Sequence, residues 1–116
     1  MLEKVYPEEI ENGWREAFKY IKSISSLCKT NNIRFILVAI PFSDQVLNVK
    51  LDKNLVRDKP QKLLKDFCKN ENITYVNMMP ALVSNNKSKI YYIKDGHWTK
   101  LGHKIAAIEI FKALEL

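Results

Sequence analysis

The chain has 116 residues, which suits one domain with a modest core, and we predict a single domain over residues 1–116. Its net charge is +6, but scattered lysine supplies most of the basic excess, which argues against a nucleic-acid partner. No apolar run is long enough for a membrane span, and no signal peptide is recognisable. The compartment stays open, since a longer protein would be exported if it carried a signal.

The first half of the chain contains one helical and one strand-like pattern. Pro7 with two following glutamates opens an amphipathic helix that we expect to run to about Lys29. The run Ile33–Ile40 is almost continuously apolar, which is typical of a buried parallel strand. Pro41 stops it, and ligands of open α/β sheets bind beyond such strand ends. The charged segment Val46–Lys59 is expected to be irregular.

The second half repeats the order of helix and strand. Pro60 begins a second helix, and Ile73–Val76 is predicted to be the second strand. Residues 81–89 are expected to be a polar connection. The last helix, Thr99–Leu114, carries apolar residues on nearly every side, so we expect it to be well buried.

These elements predict an α/β fold in which two parallel strands are flanked by about three helices. Two strands make a poor sheet, and an apolar strand with an unpaired edge tends to pair with another chain. We therefore predict a homo-oligomer, or association with a further segment that completes the sheet.

The sharpest functional pattern lies just before the last helix, where Asp95, Gly96, His97, Trp98 and Thr99 follow one another. A neutral imidazole can act as a general base when a carboxylate fixes its other ring nitrogen. Asp95 is close enough in sequence to do this for His97. Gly96 permits backbone angles that other residues avoid, and Thr99 can cap the following helix. Trp98 can either shield the imidazole or anchor the loop.

Three plainer alternatives remain open. Asp-Gly is foremost a turn signal, so the motif can be purely structural. Asp95, His97 and His103 have ligand types that suit zinc, although the six-residue spacing of the histidines is unusual. Cys28 and Cys68 are expected to be buried free thiols on helices, and a disulfide between them stays open.

Residues 91–107, with Asp95-Gly96-His97-Trp98 and then Gly102-His103, resemble the last sequence block of the SGNH (GDSL-like) hydrolase superfamily. The upstream helices, the strand ending in Pro41 and the strand near Tyr75 agree with the second half of that family. The resemblance implies a three-layer, flavodoxin-like (SGNH-type) fragment. It also implies that His97 is the base and Asp95 its orienting carboxylate, with no cofactor or metal.

The chain departs from the family in two respects. The commonest family spacing is Asp-x-x-His, whereas Asp-x-His is similar to exported bacterial members that include polysaccharide O-acetyltransferase relatives. The Gly-Asp-Ser nucleophile block and both oxyanion-hole blocks are absent from the sequence. Of the serines, Ser43 alone follows a predicted strand, and nothing around it resembles a nucleophile turn. The others lie in a predicted helix or in a polar loop, at Ser23, Ser25, Ser26, Ser84 and Ser88.

The resemblance therefore implies the C-terminal part of a carboxylic ester hydrolase, an esterase or an O-acetyltransferase relative. Its substrate would be a small ester or an O-acetylated glycan, and the chain alone is expected to turn over little. The alternative is a non-catalytic interaction module with the same fold.

Overall fold

The computed structural model describes residues 2–47 and 56–115. Residues 48–55, which belong to the segment expected to be irregular, lie outside the described residues. Five helices and two strands occur in the described part: α1 (Glu8–Thr30), β1 (Ile36–Ala39), α2 (Ser43–Val46), α3 (Lys59–Glu71), β2 (Thr74–Asn77), α4 (Met79–Ser84) and α5 (Lys100–Leu114). The predicted α/β class is confirmed, and so are the two parallel strands. The expected number of helices was too low, because the short helices α2 and α4 were not recognised.

Residues 2–37 and 56–75 form one of two compact units. In this unit α1 packs on α3, with the rings of Phe18 and Phe67 stacked at 4.3 Å between centroids. An ion pair of 3.0 Å joins Lys22 Nζ to Glu71 Oε1. Cys28 is half-buried and Cys68 buried, and both are free thiols.

Helices α1 and α3 end in the same way. Asn32 and Asn72 adopt left-handed backbone angles, with φ of 56° and 54°. In both cases the next residue, an isoleucine, donates its backbone N–H to the carbonyl of a cysteine five residues earlier, at 2.8 Å. This Schellman-type ending satisfies carbonyls of the last turn and directs the chain from the helix toward the following strand.

Residues 38–47 and 76–115 belong to the second unit. Its core includes Met78 and Leu82, which are fully buried around the start of α4. Asn77 Oδ1 accepts the Met79 N–H at 3.0 Å and so begins that helix. Residues 81–89 were expected to be a polar connection, but the first four of them belong to α4 (Met79–Ser84).

Helix α5 is less buried than its composition indicates. Gly102, Ile105 and Ala106 are buried, but Leu101, Ile108 and Phe111 are 38%, 45% and 55% exposed. The expectation of a well-buried helix is therefore wrong, since the described elements of this unit cover only one side of it. No helix in residues 2–47 and 56–115 is both long and apolar enough to cross a membrane.

Candidate functional site

The segment that contains Asp95 and His97 is a tight hairpin in the second unit. Tyr91 and Trp98 form an antiparallel bridge at its base. Above the bridge, the Tyr92 N–H donates to the His97 carbonyl at 2.8 Å, and the Gly96 N–H donates to the Tyr92 carbonyl at 3.0 Å. Gly96 has a φ of 69°, a left-handed conformation that glycine adopts without strain.

Asp95 contacts both the backbone and the ring of His97. Its Oδ1 accepts the His97 backbone N–H at 2.9 Å, while its Oδ2 lies 3.5 Å from the imidazole Nδ1. The two side chains are 59% and 84% exposed, with the imidazole the more exposed. The structure therefore brings together the two residues named as a base and its orienting carboxylate, at the surface of the unit.

Thr99 occupies the N-cap position of α5, but its side chain does not cap that helix. Instead, its hydroxyl donates to the carbonyls of Lys89 and Ile90, at 2.6 Å and 3.1 Å, and the Thr99 N–H also donates to Ile90 at 2.7 Å. The expectation that the Thr99 side chain caps α5 is therefore wrong, because its hydroxyl bonds to residues before the helix. Thr99 joins the two ends of the hairpin.

Trp98 anchors the hairpin and does not shield the imidazole, because the His97 side chain remains 84% exposed. The indole packs against Gly102 in the first turn of α5, and its ring lies edge-on to the His103 ring at 5.6 Å between centroids. The indole N–H is buried and makes no hydrogen bond to any described residue, although it faces the Tyr91 phenol. Burial raises the pKa of Tyr91, and this N–H offsets part of the rise.

The facing wall consists of the residues that follow β1. The Tyr91 hydroxyl donates to the buried carbonyl of Pro41 at 3.1 Å and so joins the hairpin to this wall. The Phe42 N–H donates to Gln45 Oε1 at 2.8 Å, and the Gln45 N–H donates back to the Phe42 carbonyl at 3.0 Å. This reciprocal pair fixes the turn on which Ser43 lies.

Between the two walls is an open cleft of about 490 Å³, within the range of small-molecule sites. No lysine or arginine is among its described lining residues, and Asp95 is the one carboxylate among them. It is lined by Ile40, Pro41, Phe42, Ser43, Tyr91, Asp95, Gly96, His97, Trp98 and His103.

The metal alternative finds no support in the structure. Asp95, His97 and His103 all border the cleft. Across the described ranges, however, no group of three or more His, Cys, Asp or Glu side chains is arranged to hold a metal ion.

Ser43 is the residue that the sequence interpretation undervalued. It is the first residue of α2 and borders the same cleft as Asp95 and His97. The only sequence signal was its position just after a strand that ends in proline. Ser23, Ser25 and Ser26 lie in α1, as expected, whereas Ser84, which was expected in a polar loop, is the last residue of α4.

Comparison of the chain with protein-family models, with curated proteins and with solved structures finds no match. The resemblance to SGNH hydrolases therefore depends on the residues of this chain alone, chiefly those from Tyr91 to Ala107.

Proposed function

We propose that this chain supplies the general base of an SGNH-type carboxylic ester hydrolase, with His97 as the base and Asp95 as its orienting residue. The observation that carries the proposal is the Asp95–His97 pair on the wall of a cleft beside the segment that leaves β1. Ligands of α/β folds bind at such strand ends. The three-layer SGNH arrangement and its ester or O-acetylated glycan substrates are part of the same proposal.

Asp95 is expected to determine which ring nitrogen of His97 carries the proton. A carboxylate oxygen near Nδ1 favours the tautomer with the proton on Nδ1, which leaves Nε2 free to accept a proton from a nucleophile. In Asp95→Asn, the amide oxygen can keep the bond to the His97 backbone while its NH₂ group faces Nδ1. We therefore expect the tautomer preference to reverse in this variant.

Long-range ¹H–¹⁵N NMR spectra of histidine-labelled protein measure this preference. Because both side chains are exposed, we expect the tautomer ratio to change only a few-fold. His103 lies outside the pair and serves as an internal reference, whose spectrum should be unchanged. If Asp95→Asn leaves the His97 tautomer as it was, Asp95 does not orient the imidazole and the hydrolase proposal loses its basis.

A second candidate function is a non-catalytic interaction module, and a specific observation favours it. The imidazole is 84% exposed and its neighbour Ile93, at the same hairpin, is 91% exposed. Tyr92, next to Ile93 in the sequence, is 50% exposed, and exposed apolar side chains that cluster are typical of contact surfaces. An unchanged tautomer in the Asp95 variant would favour this module over the enzyme.

We also propose that the chain associates with a second copy through the free edge of β1. Within the described residues the sheet has two strands, so β1 pairs on one side only. Its residues Ile36, Leu37 and Val38 are half-buried, and Ile40 is 61% exposed, although their sequence is typical of a central strand.

A charge beside this edge should therefore weaken self-association. We expect Ile40→Lys to shift the chain toward monomer in sedimentation velocity, because lysine disfavours edge-to-edge pairing. Phe111→Lys, at a 55% exposed position of α5, is the matched control and should leave the distribution unchanged. A wild-type chain that stays monomeric at high concentration would contradict the proposal.

A further inference from the structure

Ser43 is held at the cleft by a well-defined turn. It follows β1 and begins α2, and the Phe42–Gln45 hydrogen bonds on either side of it fix the backbone. Gln45 is only 1% exposed, so this support is itself part of the core of the unit. The backbone position of Ser43 is therefore determined by packing.

The Ser43 side chain faces the hairpin at its glycine. Its Oγ lies 3.6 Å from the point where a Cβ on Gly96 would stand. Gly96 lies between Asp95 and His97 in the sequence, and Ser43, Asp95 and His97 all border the same cleft. The Ser43 hydroxyl also lies 3.5 Å from Asp44 Oδ1, too far for a strong hydrogen bond, so this contact holds its proton weakly.

The imidazole has the freedom that a proton transfer to it requires. With Asp95 near Nδ1, Nε2 is expected to be the nitrogen that accepts the proton, and the ring is 84% exposed. The ring can therefore turn about its side-chain torsions with little loss of packing. From this juxtaposition of hydroxyl, imidazole and carboxylate in one cleft, we propose that Ser43 is the nucleophile of the ester hydrolase proposed above. The inference rests on that function and adds the residue that the sequence motifs did not identify.

The reaction proceeds in two balanced stages. Ser43 Oγ attacks the acyl carbon of the ester while His97 Nε2 takes the hydroxyl proton, and the tetrahedral intermediate then expels the alcohol, which receives that proton. A water molecule next attacks the acyl group on Ser43 and gives its proton to Nε2. Cleavage of the acyl–Oγ bond releases the carboxylic acid, and the proton returns from Nε2 to Oγ.

Because Asp95 and His97 are exposed, acylation of Ser43 should be easier to observe than the later release of the acyl group. Solvent weakens the electrostatic contribution of an exposed carboxylate, and steady turnover is expected to be slow. An activated ester has a good leaving group and needs less help in the first stage. A burst of acylation followed by slow release is therefore expected.

The test is acetylation of the intact chain by p-nitrophenyl acetate, followed by peptide mass spectrometry. We expect one acetyl group to appear rapidly on Ser43, with a matching burst of p-nitrophenol. In His97→Ala this reaction should slow by about 100-fold or more, the usual contribution of a general base. Background acetylation of the surface lysines should be equal in all variants and measures the uncatalysed rate.

Three further variants complete the experiment. Ser43→Ala should abolish the burst, and Ser43→Cys should restore acylation at the same position on a thiol. Ser84→Ala, at the end of α4, is the matched control and should react like the wild type. Circular dichroism of each variant verifies that it is folded.

Two results would overturn the inference, and they differ in what they say about the proposed function. Acetylation of another residue that still depends on His97 would exclude Ser43 and leave the hydrolase proposal standing. Acetylation of Ser43 no faster than that of Ser84, together with an Asp95-dependent His97 tautomer, would also exclude Ser43 while the base pair remains. A His97 tautomer that stays unchanged in Asp95→Asn is the separate result that removes the proposed function.

Discussion

Replacing Gly102 with alanine is expected to lower the free energy of unfolding by about 1–3 kcal/mol, the usual effect of overpacking. A Cβ at this position would lie 2.8 Å from the Ile90 carbonyl oxygen, 2.8 Å from Trp98 Cβ and 2.9 Å from Trp98 Cγ. The carbonyl cannot retreat easily, because it accepts hydrogen bonds from both the N–H and the hydroxyl of Thr99. The first turn of α5 must therefore move away from the hairpin, and Trp98 must move with it.

Gly13→Ala is the matched control, with the opposite expected sign. Apart from its chain neighbours and the nearby backbone of α1 itself, no heavy atom of the described residues lies within 4 Å of the Cβ position at Gly13, which is in the interior of α1. Alanine there should raise the free energy of unfolding by about 0.5–1 kcal/mol, because glycine loses more backbone entropy in a helix. Urea unfolding of both variants measures the two effects. If both variants lost similar amounts of stability, the close contacts at Gly102 would not be the cause of the loss in Gly102→Ala.

The Gly102 variant also tests how the site is supported. Trp98 is adjacent to His97, and its backbone forms the base of the hairpin with Tyr91. A shift of the indole should therefore change the NMR signals of His97 as well as those of His103. Unchanged His97 signals would mean that the hairpin tip is held independently of α5.

The long elements could be predicted because their patterns are local. The apolar stripe from Ile10 to Cys28 predicted a helix by its periodicity, and the continuous apolar run from Ile33 to Ile40 predicted a strand. The strand itself is shorter than predicted and covers only Ile36–Ala39. The short helix α4 could not be predicted in the same way. Its first turn is stabilised by the Asn77 side chain, which accepts the Met79 N–H, and by the burial of Leu82. Neither feature produces a periodic pattern in the sequence.

The environment of a side chain was harder to foresee than its secondary structure. Thr99 has the sequence context of a helix cap, yet its hydroxyl donates to carbonyls nine and ten residues earlier. Phe111 belongs to a helix that is apolar on most sides, but it is 55% exposed because burial depends on what covers the helix. Ser43 became a candidate only when the fold placed it against Gly96, which lies far away in the sequence.

Removing the Tyr91 hydroxyl is expected to lower the free energy of unfolding, because this hydroxyl joins the hairpin to the segment that follows β1. In Tyr91→Phe the buried Pro41 carbonyl loses the donor that lies 3.1 Å away, and an unsatisfied buried acceptor costs about 1–3 kcal/mol. Tyr92→Phe is the matched control, because Tyr92 is the next residue and is 50% exposed. We expect it to change the free energy of unfolding by less than about 0.5 kcal/mol.

The difference between wild type and Tyr91→Phe should shrink at alkaline pH. Burial raises the pKa of Tyr91 in the folded chain, whereas in the unfolded chain the phenol ionises near its usual value of about 10. Above that pH the unfolded wild type releases a proton that the folded form retains, so the wild type loses stability as pH rises. Phenylalanine has no such proton, and the two proteins should converge in urea unfolding. A constant difference across this range would mean that Tyr91 ionises equally in both states.

The same variant connects the stability of the cleft with its proposed reactivity. Pro41 lies two residues before Ser43, so the Tyr91 hydroxyl helps to determine how far the serine stands from the hairpin. The Ser43 acetylation burst should therefore be slower in Tyr91→Phe than in Tyr92→Phe, even where both variants are fully folded. Equal bursts in the two would show that the wall keeps its position without this hydrogen bond, and that the Gln45 turn alone is enough to place Ser43.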